Sequence, residues 1–342
     1  VEKKVTISDV ARVAQVSKAT VSRVLNRPEI VAPDVNARIH KAMAELNYQP
    51  NRHARALSGV RTKTVGLLFF KDLWDLVLNP FWGMATSTVY EHLLRNDLDC
   101  NLIALGESIT ANERFSTPAR YEQFLRSRNV DGFLVVGHMK PEMEEYLANS
   151  EVPAVIWGRP RIPDSGLSYT DSDHKRGAEI GVDHLVAIGR RDIGTITGDL
   201  DLEPARDRFD GYRASMQLHG RDPRPSLVAQ GDFTRESGFS AMLRLLDRNE
   251  GLDAVFAAND EMALGALEAL RERGLTAPDD VAVVGFDNVT LPQPGHIQRL
   301  TTVSHPYEEI GAELVAGLLA RMRGEHHESR LIAPTLVLGQ TA

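Results

Sequence analysis

The spacing of apolar residues changes character along this chain. Between residues 6 and 46 they recur every three or four positions in three short runs: Ile7, Val10, Ala11 and Ala14, then Val21, Val24 and Leu25, then Val35, Ile39, Ala42, Met43 and Leu46. That period puts each run on one face of a helix. Thr6 stands where the first helix needs an N-cap, with Asp9 at the third helical position, where the helix dipole favours an anion. Gln15-Val16 leaves room only for a tight turn before Ser17 caps a second helix ending near Asn26. Pro33 suits the first position of the third helix, and Tyr48-Gln49-Pro50 ends it. Asn51 caps a further segment through about Ser58, too short to stay helical in water unless it packs against a partner.

From residue 63 the pattern becomes alternating β and α. Apolar runs at 65–70, 100–104, 132–137 and 154–158 read as buried strands, separated by helical stretches near 81–95, 118–128 and 141–149. The alternation begins again with strands at 193–198, 227–230, 254–258 and 281–286, and a last strand is expected at 331–338. Such alternation predicts parallel sheets covered on both faces, and the two series predict two similar lobes. The expected fold is therefore a small all-α head plus an α/β body of two similar parallel-sheet lobes. The head covers 1–50, a hinge or linker 51–62, and the body 63–342. The first lobe is drawn at about 63–160 and 304–323, the second at about 163–290 and 326–342. Proline-rich stretches at 158–163 and 291–295 mark the expected crossings. Ligands of such sheets bind beyond the carboxyl ends of the strands, here between the lobes.

At 342 residues, 42% apolar and 25% charged, the chain can bury two ordinary cores and a small appendage. No apolar run approaches the roughly 18 residues of a membrane span, and no secretory signal pattern opens the chain, so a cytoplasmic protein without a membrane partner is expected. Cys100 is the single cysteine, which fits a reducing compartment and reads as a strand residue. The net charge of −8 is unevenly distributed. Residues 1–63 hold twelve basic and five acidic residues, and the remainder 27 basic and 42 acidic. A basic head on an acidic body concentrates phosphate attraction in one place.

Two helices joined by so tight a turn form a helix-turn-helix, whose second helix enters the major groove of double-stranded DNA. Lys18 and Ala19 would then read base edges, with Arg23 able to reach a guanine. Thr20 and Ser22 are assigned to phosphates. Thr6, Ser17 and Asn26 complete the expected DNA-facing set in the head, and Asn51, Ala54, Arg55 and Leu57 supply it from the hinge. Leu57, beside Arg52 and Arg55, suits a wedge inserted between base steps in the minor groove. A plain helical hairpin with a solvated polar face, and an ordinary linker leucine, are the competing readings.

The chain resembles the LacI/GalR family of bacterial transcription regulators over nearly its whole length. The resemblance rests on Val5-Thr-Ile-Ser-Asp-Val-Ala11, Val16-Ser-Lys-Ala-Thr-Val-Ser-Arg-Val-Leu-Asn26, Tyr48-Gln-Pro-Asn51 and Ala54-Arg-Ala-Leu57. Further matches are Asn79-Pro-Phe81, His184-Leu-Val-Ala-Ile-Gly189, Asn259-Asp-Glu-Met-Ala-Leu-Gly265 and Val283-Val-Gly-Phe-Asp287. It implies a homodimer whose paired heads bind a pseudo-palindromic operator, and a body like the periplasmic sugar-binding proteins. By position it assigns a small-molecule effector, most simply a sugar, to Arg208, Phe233, Asn259 and Asp287, with Asn79, Phe81 and Trp157 lining the same cleft. The residue types agree. Arg208 offers a fork of donors, Asn259 donates and accepts, Asp287 accepts hydroxyl protons, and Phe233 presents a face for the C–H side of a sugar ring. Asp287 capping a turn, Asn259 capping the next helix and Phe233 in the core are the mundane alternatives.

Residues 71–78 depart from the family by about five extra positions, leaving open whether Trp74 or Trp82 adds a stacking surface or packs on the lobe. Arg159 is open between a ligand and a crossing segment. The expectation is a ligand-responsive repressor of carbohydrate-utilisation genes. A purine- or other metabolite-responsive regulator of the corepressor type is the alternative, and a sugar-binding protein without regulatory role a more distant one. An enzyme is not expected, because no phosphate loop, nucleophile elbow or His-Glu-x-x-His motif occurs. No catalytic residue, cofactor or metal is assigned, and His326-His327 reads as solvated surface. No leucine heptad tail is present, so a tetramer built through one is not expected.

Overall fold

The computed structural model describes residues 5–26, 30–48, 62–106, 118–126, 130–162, 165–289 and 299–342. The hinge candidates Asn51, Ala54, Arg55 and Leu57 lie outside these residues, as does the side chain of Asn26. By its contacts the chain divides into two units, 1–64 with 123–131, and 65–122 with 132–342.

In the first unit, α1 (Ile7–Val13), α2 (Lys18–Asn26) and α3 (Pro33–Glu45) form where the periodicity places them. Thr6 and Asp9 make the expected start of α1: the Thr6 amide and hydroxyl both donate to Asp9 Oδ2, at 3.0 and 2.7 Å. Gln15 takes the left-handed conformation, φ 55°, that so tight a turn needs. The three stripes meet in one core of Val10, Ala11, Ala14, Val21, Val24, Ile39 and Ala42.

The second unit holds two six-stranded sheets. The first contains β1 (Thr64–Phe69), β2 (Asp99–Ala104), β3 (Gly132–Val136), β4 (Ala154–Trp157), β5 (Ser168–Ser172) and β11 (Arg330–Ile332), in the order β11-β5-β4-β3-β1-β2. The second contains β6 (Ile193–Thr197), β7 (Val228–Gln230), β8 (Ala254–Ala257), β9 (Ala282–Asp287), β10 (Thr301–Ser304) and β12 (Thr335–Val337), in the order β12-β10-β9-β8-β6-β7. β12 is antiparallel to β10, while β9 pairs with β8 and β10 in parallel. Parallel strands buried on both faces explain why β3, β4, β6, β8 and β9 read as unbroken buried runs.

Helices cover these faces. Against the first sheet, α5 (Pro80–Arg95) and α12 (Tyr307–Met322) bury Ala85, Val89, Leu93, Ile310, Leu314 and Leu318. Against the second, α8 (His174–Ala187) and α9 (Glu203–Leu218) bury Ala178, Val182, Leu185 and Tyr212. α10 (Arg235–Arg248) and α11 (Asp260–Glu272) close its other side. The remaining helices are α4 (Leu73–Leu78), α6 (Pro118–Arg126) and α7 (Pro141–Asn149).

The expected lobe boundaries need correction. The 158–163 stretch is not a crossing, because β4 and β5 on either side of it pair in the same sheet. The first lobe therefore runs through Ser172, and the second begins at His174 and extends through β10. β5 escapes a hydrophobic reading because its sequence is Ser-Tyr-Thr-Asp-Ser, although four of the five residues are buried. The expected last strand breaks at Ala333-Pro334. Its first half pairs with β5 in the first lobe, and its second with β10 in the second. The chain thus crosses between lobes at Asp173, at His305-Pro306 and at Ala333-Pro334, and the Asp173 amide donates to the Ile332 carbonyl at 2.9 Å. The 291–295 stretch lies outside the described residues.

α10 and α11 touch backbone to backbone at Gly265, where an added Cβ would lie 2.0 Å from the Arg235 carbonyl oxygen. Gly265→Ala should destabilise the second unit by about 1–3 kcal/mol, since the overlap is with main chain and no side chain can yield. Chemical denaturation of the two proteins compares them, and an unchanged midpoint would remove this contact as a constraint.

Candidate functional site

Two surfaces carry the predicted residues, one in each unit. In the head, the Ser17 hydroxyl accepts from the Thr20 amide at 3.0 Å and lies 2.8 Å from the Thr20 hydroxyl, fixing the first turn of α2. Ser17, Lys18, Ala19 and Arg23 are exposed, whereas Thr20 and Ser22 are half-buried. The expected base-reading residues thus project from a helix held by a small rigid core. Arg38 adds to that rigidity by donating to the Ala14 carbonyl at 3.0 Å.

In the second unit all seven predicted cleft residues line one cavity of about 520 Å³: Asn79, Phe81, Trp157, Arg208, Phe233, Asn259 and Asp287. Trp157 and Asp287 end β4 and β9, Phe233 and Asn259 follow β7 and β8, Asn79 and Phe81 open α5, and Arg208 comes from within α9. Asn79 caps α5 by accepting from the Phe81 amide at 3.0 Å. That cap aims Phe81 inward, against Trp82 at 4.8 Å and His305 at 5.3 Å between ring centroids. Phe233 and Asp287 both occupy left-handed backbone, φ 71° and 111°, a strained state for residues with side chains.

The cavity floor is an ionic cluster built on the lobe crossings. Arg208 is 4% exposed, lies 3.8 Å above the Phe286 ring centroid, donates to the Ala258 carbonyl and stands 3.4 Å from Asp287 Oδ1. Its Nε donates to His174 Nδ1 at 3.3 Å. That bond leaves His174 Nε2 to face Asp171 Oδ2, also at 3.3 Å. Burial pushes the His174 imidazole down to about 4, the Arg208 guanidinium acting with burial and Asp171 against it, so at neutral pH the ring is an uncharged acceptor for Arg208. His305 Nε2 is 3.1 Å from Asp287, and its Nδ1 is 2.5 Å from the Ser172 hydroxyl.

Asn259 lines the cavity but its amide is engaged internally. Oδ1 accepts from the Met262 amide at 2.9 Å, capping α11, and Nδ2 donates to the Phe233 carbonyl at 3.0 Å. The capping alternative describes what its side chain does: it positions Phe233. Arg159 bridges the lobes. It pairs with Glu203 at 2.6 Å and with Asp207, both on α9. Of the two tryptophans left open, Trp82 lines the cavity and packs edge-on against Phe69 at 5.2 Å, whereas Trp74 is 72% exposed on α4. The extra residues reach the cavity through Lys71 and Asp75.

Asp171, His174 and His305 were missed at the sequence level. They sit in polar segments that carry no apolar period; the density of ionisable residues in Asp171-Ser-Asp-His174 signals the first two, and nothing local signals His305. Among the described residues no cluster of His, Cys, Asp and Glu could hold a metal ion, and no helix is long and apolar enough to cross a membrane.

Residues 6–51 match the model for bacterial regulatory proteins of the lacI family, and residues 182–342 that for a periplasmic binding protein-like domain. The chain is 36% identical over 333 residues to the HTH-type transcriptional regulator CelR of Thermobifida fusca, covering 96% of each. It is 30% identical over 336 residues to the HTH-type transcriptional repressor PurR of Aliivibrio salmonicida, covering 95% of each. A solved CelR–cellobiose complex superposes with a TM-score of 0.74 at 33% identity, covering 99% of this chain and 100% of that one. The lac repressor dimer bound to operator and the anti-inducer ONPF does so with 0.83 at 28% identity and 99% of each chain.

The buried neutral imidazole has a thermodynamic signature. An unfolded histidine titrates near 6.5 and His174 near 4, so between those values the unfolded chain holds the extra proton, and stability falls as pH drops through that window. His174→Gln should lower the proton uptake on unfolding at about pH 5 by close to one. Calorimetry in buffers of different ionisation enthalpy measures it, and equal uptake by the two proteins would mean that His174 is protonated in the folded state.

Proposed function

The chain belongs to the lacI family of bacterial regulatory proteins, and we propose that it is a cytoplasmic repressor of carbohydrate-utilisation genes that binds a pseudo-palindromic operator as a homodimer and responds to a sugar in the cleft between its lobes. Members of this family regulate transcription and are not enzymes. The observation that carries the reading is the convergence of Arg208, Asp287 and an aromatic wall of Phe81, Trp82, Trp157 and Phe233 on one cavity at the lobe crossings. A sugar presents hydroxyls around its edge and C–H groups on its faces. Carboxylates and a guanidinium fixed by other protein groups meet the first without reorganising, and aromatic faces meet the second.

The gating follows from where the cluster sits. Arg208 and His174 belong to the second lobe, His305 to a crossing, and Phe81 and Trp157 to the first lobe. A ligand touching all three groups has a different affinity for each relative orientation of the lobes, which is the condition for shifting an equilibrium. Arg159, with Glu203 and Asp207, already favours one orientation. A coupling of about 1–3 kcal/mol to the hinge and head suffices to change operator occupancy 5- to 150-fold. CelR appears in its solved complex with cellobiose, which makes a β-linked disaccharide the first probe.

Operator mobility shifts with and without cellobiose, other disaccharides and purine bases test the reading; operator affinity that no cleft ligand changes would sink it. Arg208→Ala, and Phe233→Ala as a milder second variant, should abolish the ligand response while retaining operator binding. Lys18→Ala should alter base preference at one position of each half-site, and uniformly weaker binding to all sequences would make Lys18 a phosphate contact.

A further inference from the structure

The charged groups that end the strands around the cavity are biased by lobe. On the first sheet the adjacent strands β1, β3 and β4 lead into Lys71, His138 with Lys140, and Arg161. On the second sheet β6, β7 and β9 lead into Asp199, Asp232 and Asp287. All the parallel strands of a sheet deliver their carboxyl-end residues to the same edge, so the first-lobe wall sets Lys71, Lys140 and Arg161 against Asp75 and Asp171, and the facing wall sets Asp199, Asp232 and Asp287 against Arg208.

The two walls differ in how far their charges are already engaged. Asp287 has Arg208 and His305. Asp232 accepts from the Thr234 hydroxyl at 2.6 Å, and Asp199 from the Asp201 amide at 2.9 Å. Of the acids on the first wall, Asp171 faces His174, and Asp75 accepts from the Asp72 amide at 2.9 Å. Asp199 and Asp232, though hydrogen-bonded, have no cation partner among the described residues; Lys71, Lys140 and Arg161 reach the exposed rim, and among the described residues their side chains make neither an ion pair nor a hydrogen bond. Arg161 is nonetheless firmly placed. The buried Glu144 carboxylate, 1% exposed, accepts from the Arg161 amide at 3.0 Å and the Ile162 amide at 2.6 Å. Between these cations stands His138, which burial holds below its usual range; Asp171 opposes that shift, and Arg161, Lys71 and Arg206 add to it. At neutral pH it is an uncharged hydrogen-bonding group in a basic surround.

We propose that the effector is a carbohydrate bearing an anionic group, a sugar acid or a sugar phosphate, whose hydroxylated ring lies against the second lobe and whose anion lies against Lys71, His138 and Arg161. The inference rests on the reading of the cleft as a sugar site and adds the ligand's charge and direction. The anion would also screen the attraction between the two walls, so a neutral and an anionic sugar of the same size would hold the lobes in different balance.

Calorimetric titration of the full chain with cellobiose, cellobionate and cellobiose 6′-phosphate tests it. One of the two anionic probes should bind on the order of tenfold or more tighter than cellobiose at low ionic strength, with the margin shrinking as salt is added. Whichever acid wins separates carboxylate from phosphate. Lys71→Gln with Arg161→Gln should erase the margin in a protein whose unfolding midpoint shows it folded, and Lys71→Arg should preserve it. A margin that is absent, or that survives the double substitution, overturns the proposal. If cellobiose binds and shifts operator affinity while neither acid does better, the regulatory reading stands and this inference falls. If no probe binds, the carbohydrate reading fails and the inference with it.

Discussion

A guanidinium that is 4% exposed must be solvated by protein, and that requirement at Arg208 organises the centre of this molecule. Its donors are met by a backbone carbonyl, a carboxylate and a histidine kept neutral by its surroundings. Each comes from a different element: the end of β8, the end of β9 and the start of α8. Burial of one charge therefore specifies where two strands of the second sheet end and where the first crossing enters a helix. Removing any partner leaves the others with an unmet charge, and this interdependence makes the cavity floor a single unit.

The support extends outward through groups whose polar atoms are engaged within the protein. Asp260 accepts from the Thr302 hydroxyl and from the Val289 amide at 2.9 Å, tying the turn after Asp287 to α11. Asn259 fixes Phe233 in its left-handed backbone from the other side. Glu144 holds the loop that follows β4. The strained positions of Phe233 and Asp287 persist because neighbouring hydrogen bonds define them.

The sequence disclosed those parts of the fold that depend on local period. Three helices in the head, eight of the body's strands and the three helices between the strands of the first series follow from apolar spacing, because a buried parallel strand and an amphipathic helix each leave a simple pattern. What it hid are elements whose burial is polar. β5 is buried yet reads as a loop, since Thr170, Asp171 and Ser172 serve the crossing and the cluster. The division of the final strand at Ala333-Pro334 was equally invisible, because both halves carry strand-like residues and only tertiary pairing assigns them to different sheets. The seven cleft residues were found through motif position. The two histidines that complete the site were not, because a histidine's role is set by neighbours remote in sequence: His305 meets Ser172 across 133 positions.

The crossings themselves limit how the lobes can move. Each has one or two residues between regular elements, and two of the three contain a proline, Pro306 and Pro334, whose ring removes one of the backbone's two soft torsions. The amide link from Asp173 to Ile332 ties the first crossing to the third. Three short, stiff, partly coupled connections give something close to a mechanical linkage with few degrees of freedom: sliding of one lobe across the other would strain them all, while rotation about a line near them strains them least. If the cleft holds the effector proposed above, such a hinge would convert many different ligand contacts into the same motion, so that the identity of the molecule in the cleft could change without redesign of what the rest of the protein receives.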